Sequence, residues 1–117
     1  MNPLIERLEA MLAKGSDNLL LRFGLGKAYA EEQLHDQAIA HLEQAVAFDP
    51  MHSGSWFWLG RAQYEGGRLD DAFGTLERAV EVADRKGDVQ AGKMARVFLS
   101  RVKKAQQPRG PHFRVGR

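Results

Sequence analysis

The amino-acid sequence predicts an all-α protein, a short α-solenoid in which about six helices pack as antiparallel pairs. The main observation is internal repetition, because two stretches of the chain align at one constant offset. Leu25-Gly26-Lys27-Ala28 aligns with Leu59-Gly60-Arg61-Ala62, and several positions downstream also agree. Stacked helix pairs are the architecture in which sequence units recur at such an offset. Proteins built in this way act by presenting a binding surface. The sequence therefore predicts a binding protein.

Apolar residues within each copy recur at steps of three and four, and no segment alternates as a strand would. Glycine, proline and polar residues separate these runs, as at Asp49-Pro50 and Gly66-Gly67. Asp17, Asn18, Ser53 and Asp88 are candidate N-caps, whose side chains satisfy the first free backbone N–H groups of a helix. These signals predict helices at 3–14, 18–32, 36–48, 53–65, 69–85 and 88–105.

In chain order, the first helix, 3–14, is half of a pair. Two full repeats follow at about 19–52 and 53–86, and each contributes two helices. The last helix, 88–105, has an apolar face and a cationic face, and such a helix can close the open end of an array. We expect residues 1–105 to form one domain. Residues 106–117 contain two Pro, two Gly and three Arg, which predicts a disordered basic tail.

These repeats resemble the tetratricopeptide repeat, a unit of about 34 residues with preferred apolar and small residues at fixed positions. Arg22, Gln63 and Asp84 depart from the pattern, and a one-residue insertion near Lys86-Gly87 brings the last helix into phase. The residues that match the family's pattern are Leu25, Gly26, Tyr29, Ala38, Leu42, Ala45 and Pro50 in the first copy, and Trp56, Leu59, Gly60, Ala72, Leu76 and Ala79 in the second.

The resemblance implies a concave groove formed by the first helices of successive repeats. The positions that line such a groove in the family fall here on Phe23, Lys27, Glu31, Phe57, Arg61, Tyr64 and Arg96. Cations beside aromatic rings suit a peptide with an acidic group or a C-terminal carboxylate next to an apolar side chain. Trp56 is expected in the core, and Trp58 is a candidate interface anchor.

A simpler interpretation of the groove stays open. Lys27 with Glu31 and Arg61 with Glu65 are i,i+4 pairs, which can do no more than solvate a helix face. Phe23 and Phe57 can equally be covered by the tail or by a second subunit. Under this interpretation the groove residues carry no binding function.

Charge is divided unevenly along the chain. Residues 1–84 contain 7 Lys/Arg and 14 Asp/Glu, whereas residues 85–117 contain 10 Lys/Arg and one acid, Asp88. Two alternative functions follow from this division. The first is self-association, in which terminal helices pack together or the acidic body of one copy meets the basic end of another. The second is binding of nucleic acid or another polyanion by residues 93–117, which the acidic body disfavours.

Several functional classes lack support in the sequence. The chain contains no cysteine and only four scattered histidines, so we expect no metal and no cofactor. Serine, histidine and acidic residues show no catalytic spacing, which predicts a non-enzymatic protein. No stretch is long and apolar enough to span a membrane, and the N-terminus does not resemble a signal peptide. We therefore expect a cytoplasmic adaptor whose partner is another protein or a peptide.

Overall fold

The structure, a computed structural model, describes residues 2–107. Within this part of the chain the fold is all-α and is a solenoid of helix pairs, as the sequence predicts. Each helix boundary lies within one residue of its predicted position. The six helices are α1 (Pro3–Ala13), α2 (Leu19–Glu31), α3 (His35–Phe48), α4 (Ser53–Glu65), α5 (Leu69–Lys86) and α6 (Val89–Gln106).

The helix starts follow the capping expectations with two exceptions. Asn18 accepts from the N–H of Leu21, and Asp88 accepts from the N–H of Ala91, both as predicted. Ser53 does not cap α4, because the Nδ1 atom of His52 accepts from the N–H of Ser55 instead. Asp17 does not cap α2 either.

The Asp17 side chain is used in an ion pair. Its carboxylate lies 2.8 Å from the guanidinium of Arg22, one turn into α2. This explains why Arg22 is tolerated where the repeat pattern prefers a large apolar residue. The position is half-buried, and the pair with Asp17 compensates the charge.

The helices share a core that runs along the array. In both full pairs, α2–α3 and α4–α5, each core is completed by the next helix, so the pairs cannot separate without exposing apolar surface. The first cluster comprises Ala30, Ala38, Ile39, Leu42, Leu59 and Ala62, from α2, α3 and α4. The second comprises Phe57, Ala72, Leu76, Ala79, Ala95, Phe98 and Val102, from α4, α5 and α6.

Trp56 lies between the two clusters. Its ring is half-buried and packs against both, and so it joins neighbouring repeats. Its indole N–H donates a 2.7 Å hydrogen bond to the carbonyl of Pro50, which satisfies the polar end of the ring. The sequence predicts a core residue here, and the structure places one part of the side chain in the core and the rest at the surface.

The phase of α6 differs from the sequence prediction. The spacing from the N-cap His52 to the N-cap Asp88 exceeds that from Asn18 to His52 by two positions, so two residues are inserted rather than one. Helix α5 has 18 residues where α3 has 14, and the connection after α5 has two residues where that after α3 has four, which leaves a net gain of two. As a result, Ala95 and Phe98 of α6 occupy the buried positions that Leu59 and Ala62 occupy in α4.

Helix α6 continues to Gln106, so the predicted tail at 106–117 starts one residue inside the helix. Gln107 forms the C-cap, and its N–H donates to the carbonyl of Lys104. The remaining residues of the predicted tail, 108–117, lie outside the described part of the chain.

Candidate functional site

Three cations and two aromatic rings form a row across α2, α4 and α6, the first helices of successive pairs. The Lys27 ammonium lies 5.6 Å from the ring centroid of Trp58. The Arg61 guanidinium lies 4.7 Å from the centroid of Trp58 and 5.2 Å from that of Phe98. The Arg101 guanidinium lies 4.6 Å from the centroid of Phe98. We call these five residues the cation–aromatic row.

The helices position each member of the row. Lys27 lies in the second half of α2, whereas Trp58 and Arg61 are three residues apart on α4 and share one face. Glu65, one turn further on α4, holds the Arg61 guanidinium at 3.3 Å. Arg61 therefore contacts two rings and one carboxylate, which fixes its position better than that of a free surface arginine.

Trp58, and not Phe57, supplies the aromatic face of α4. Phe57 is only 3% exposed, and its ring packs edge-on against Phe98 at 5.5 Å. It belongs to the core because α6 covers this face of α4. Trp58, its neighbour in sequence, is half-buried and lies under the cations instead. Phe23 is half-buried with its ring edge-on to His52 at 4.9 Å, so the start of α4 partly covers it.

Arg96 lies away from the row, although the sequence placed it in the groove. Its guanidinium is 2.6 Å from the carboxylate of Asp84 on α5, beside a second cleft. Arg101 supplies the α6 cation of the row. Arg96 lies away from the row because two residues are inserted before α6, and each additional residue rotates the side chains that follow by about 100° around the helix axis. Sequence reasoning therefore missed Phe98 and Arg101 as members of this surface.

An open cleft of about 580 Å³ continues the row toward the C-terminal ends of α2 and α4. Tyr64 lies beside it, with its ring edge-on to Phe98 at 6.0 Å. The cleft brings together Glu31, Arg61 and Tyr64, three of the residues that the resemblance implied. Its lining is completed by Ala30, Gln33, His35 and Glu65.

The row is positive although the body of the chain is acidic. Among the described residues, Lys27 and Arg101 have no carboxylate within ion-pair distance, and Arg61 has only Glu65. The rings of Trp58 and Phe98 stabilise the cations without neutralising them. An anionic group can therefore approach three cations next to the partly exposed ring of Trp58.

Side chains that could suggest hydrolytic chemistry act as helix caps. The Nδ1 atom of His52 lies 2.7 Å from the Oγ of Ser55, but Ser55 is fully buried and cannot reach a substrate. The hydroxyl of Ser53 donates to Asp88, which caps α6. Within residues 2–107, no cluster of three or more His, Asp or Glu side chains could hold a metal ion.

Comparison with known proteins identifies the class of protein that this fold and surface define. The sequence model of the tetratricopeptide repeat matches residues 5–50 and 23–88. A TPR repeat-containing protein of Pseudomonas aeruginosa is 44% identical over 103 residues, covering 88% of this chain and 98% of the relative. The small glutamine-rich tetratricopeptide repeat-containing protein 2 of Saccharomyces cerevisiae is 32% identical over 68% of this chain and 22% of its own length.

Solved structures with a similar fold support the same assignment. The solution structure of a Bordetella parapertussis protein is 45% identical, with a TM-score of 0.77 and coverage of 90% of this chain and 91% of that one. A tetratricopeptide repeat domain of Salinibacter ruber has a TM-score of 0.68 at 22% identity, covering 76% of this chain and all of that one.

The chain belongs to the tetratricopeptide repeat family and is a small protein of the bacterial type. Members of this family are generally non-enzymatic modules of protein–protein interaction, which is the class of function that membership indicates. No helix within residues 2–107 has the length and apolar character needed to cross a membrane.

Proposed function

We propose that this chain is an adaptor that binds an extended segment or a helix of a partner protein along the cation–aromatic row. The observation that supports the proposal is the position of Arg61, which lies over both Trp58 and Phe98 and so makes one continuous surface from α4 and α6. The adjacent cleft gives the bound segment room to continue toward Tyr64.

The chemistry of the row selects a particular kind of segment. An acidic side chain or a C-terminal carboxylate would form charge-assisted hydrogen bonds with Lys27, Arg61 or Arg101. An apolar side chain beside it would pack on the exposed part of Trp58, because aromatic and arginine residues are frequent anchors of protein interfaces. The acids Glu31 and Glu65 would reject a segment carrying two adjacent acidic groups at the cleft.

The experiment compares proteins retained from the source cell's lysate by immobilised chain and by its Lys27→Glu/Arg61→Glu variant. The matched control is Lys14→Glu/Lys104→Glu, which makes the same change in net charge at two exposed residues outside the row. A partner kept by the control and lost by the first variant supports the proposal. A partner that both variants retain contradicts it.

A second measurement separates the two sources of the acidic group. Peptides from the identified partner are titrated with a free and with an amidated C-terminus. Loss of affinity on amidation assigns the interaction to a terminal carboxylate, whereas equal affinity assigns it to an internal Asp or Glu. In both cases affinity should fall with ionic strength, since the cations are partly exposed and are screened by salt.

A further inference from the structure

Helix α1 is in phase with the second helices of the two full repeats. The apolar residues Leu4, Leu8 and Met11 of α1 lie one repeat length before Ala38, Leu42 and Ala45 of α3. The same repeat length separates those residues of α3 from Ala72, Leu76 and Ala79 of α5. The same offset relates the neighbouring Ile5 to Ile39, and both are buried. The family match beginning at residue 5 supports this alignment. Helix α1 is thus the second helix of a pair whose first helix is not among residues 2–107.

In the complete pairs, this stripe is covered by the first helix. Ala38, Leu42 and Ala45 are fully buried, and α2 crosses closest where Gly26 meets the side chain of Leu42. In α1 the equivalent stripe is open. Leu4 is 42% exposed and Met11 is 44% exposed, with the half-buried Leu8 between them. We call Leu4, Leu8 and Met11 the α1 stripe.

The charge beside the stripe indicates what would cover it. In the first complete pair, Arg22 of α2 reaches His41 of α3, with 3.1 Å between the guanidinium and the ring nitrogen. The residue of α1 equivalent to His41 is Arg7, which is exposed and has no acidic partner among the described residues. A partner helix could pack on α1 in the way that α2 packs on α3. Its residue at the position of Arg22 would then lie next to Arg7, and an acidic side chain is favoured there.

Two occupants from this chain fit less well. Helix α6 makes no contact with α1, and residues 108–117 contain three Arg and no Asp or Glu, so neither supplies an acidic side chain beside Arg7. Pairing of α1 with α1 of a second copy in an antiparallel manner would bring two Arg7 side chains together without an acid. Two positive side chains that lie next to each other repel.

We propose that the α1 stripe is a second docking site, separate from the cation–aromatic row, for an amphipathic helix of a partner protein. The docked helix carries a small residue where it crosses Leu8, as Gly26 does over Leu42. It carries an Asp or Glu one turn earlier, at the place of Arg22. The partner thereby completes the helix pair to which α1 belongs.

The test uses two fluorescein-labelled synthetic peptides with the sequence of residues 18–33, one native and one with Arg22→Glu. Their affinities for the full chain and for its Arg7→Glu variant are measured by fluorescence anisotropy. For the native chain we expect the Arg22→Glu peptide to bind about tenfold tighter than the native peptide. The reason is that Arg7 repels the arginine of the native peptide and attracts the glutamate that replaces it. For the Arg7→Glu variant the order of the two affinities should reverse.

Two further variants locate the site. Leu4→Glu/Met11→Glu should weaken binding of the Arg22→Glu peptide at least tenfold, because both residues are exposed and the change leaves the core intact. Val97→Glu, at an exposed apolar residue of α6 with 49% exposure, should leave the affinity unchanged. Equal affinity for native and Arg7→Glu protein, or loss of binding in Val97→Glu alone, would overturn the proposal.

A sedimentation measurement on the chain alone tests the second copy as occupant. We expect the native chain and Leu4→Glu/Met11→Glu to sediment identically across concentrations. A dimer of the native chain that dissociates in Leu4→Glu/Met11→Glu would assign the stripe to self-association and overturn the heterologous partner.

Discussion

Gly60 lies directly against Leu76 at the crossing of α4 and α5. A Cβ atom added to Gly60 would lie 2.5 Å from both Cγ and Cδ2 of Leu76, a fully buried side chain. Gly26 has the same relationship to Leu42 in the preceding pair. The glycine thus sets the distance between the two helices of a repeat, and this outweighs its low helix propensity.

Substitution of Gly60 tests that relationship. Gly60→Ala should lower the free energy of unfolding by about 1–3 kcal/mol, and Gly60→Leu should lower it further, because Leu76 has no space to move into. Urea denaturation measures the change. The matched control is Gly74→Ala on α5, where an added Cβ meets no atom within 4 Å. That variant should be more stable by about 0.5–1 kcal/mol, and stability losses of equal size at both sites would contradict the crossing geometry.

A second prediction concerns the turn between α2 and α3. Gln33 has a φ of +62°, in the left-handed region, and Gly67, its equivalent in the second repeat, has a φ of +83°. Gln33→Gly should raise the free energy of unfolding by about 1 kcal/mol, since glycine adopts this conformation without steric cost. The reverse change, Gly67→Gln, should lower it by a similar amount. Opposite shifts in the urea midpoint are expected, and shifts of one sign would refute the argument.

The link between Ser53 and Asp88 gives a third prediction. The Ser53 hydroxyl donates a 2.7 Å hydrogen bond to Asp88, joining the start of α4 to the N-cap of α6. Asp88→Ala removes the cap and leaves the buried hydroxyl of Ser53 without its acceptor, at a cost of about 1–3 kcal/mol in the free energy of unfolding. Glu77→Ala, at an exposed residue in mid-helix, should cost less than about 0.5 kcal/mol. Comparable losses in the two variants would argue against the link.

A fourth prediction concerns pH. Burial lowers the pKa of His52, and its Nδ1 must stay unprotonated to accept from the N–H of Ser55. Since the folded pKa lies below the unfolded value, the unfolded chain binds the proton more readily. The contribution of His52 to stability is therefore complete above about pH 6.5 and is lost as the pH falls through the folded pKa.

The measurement is the free energy of unfolding between about pH 7.5 and pH 5 for the native chain and for His52→Asn. Asparagine keeps the N-cap but does not titrate in this range. The variant should show a smaller decrease on acidification. A residual decrease is expected from His41, whose pKa is lowered by burial as well. An identical slope in both proteins would exclude the role assigned to His52.

The helices were predictable because each depends on local signals. Periodic apolar residues, caps such as Asn18 and Asp88, and the glycine at 87 define their bounds to within one residue. The repeat offset also aligned Gly26 with Gly60, and both glycines lie against a buried leucine of the paired helix. These features depend on the chain within one or two repeats, which the sequence displays directly.

The candidate site was only partly predictable. Lys27 and Arg61 lie on one surface, but Trp58 takes the place expected for Phe57, and Arg101 the place expected for Arg96. The displacement of Arg96 follows from the two residues inserted before α6, whereas Phe57 is buried because α6 covers that face of α4. The sequence contains no periodic signal that distinguishes one added residue from two. Only the spacing of caps in the folded chain reveals it.

The two-residue insertion also sets how the array can grow. On α4, the face turned toward the next helices carries Phe57, Gly60 and Tyr64. The equivalent positions of α6 carry Lys93, Arg96 and Ser100, all exposed. A repeat appended behind α6 would meet charge instead of apolar surface. Duplication of residues 19–52 within the chain would place Leu25 and Ala28 at the new junction with α3, where α4 supplies the apolar residues Leu59 and Ala62. Lengthening of this protein by evolution or by design should therefore proceed from the interior and not from its C-terminal end.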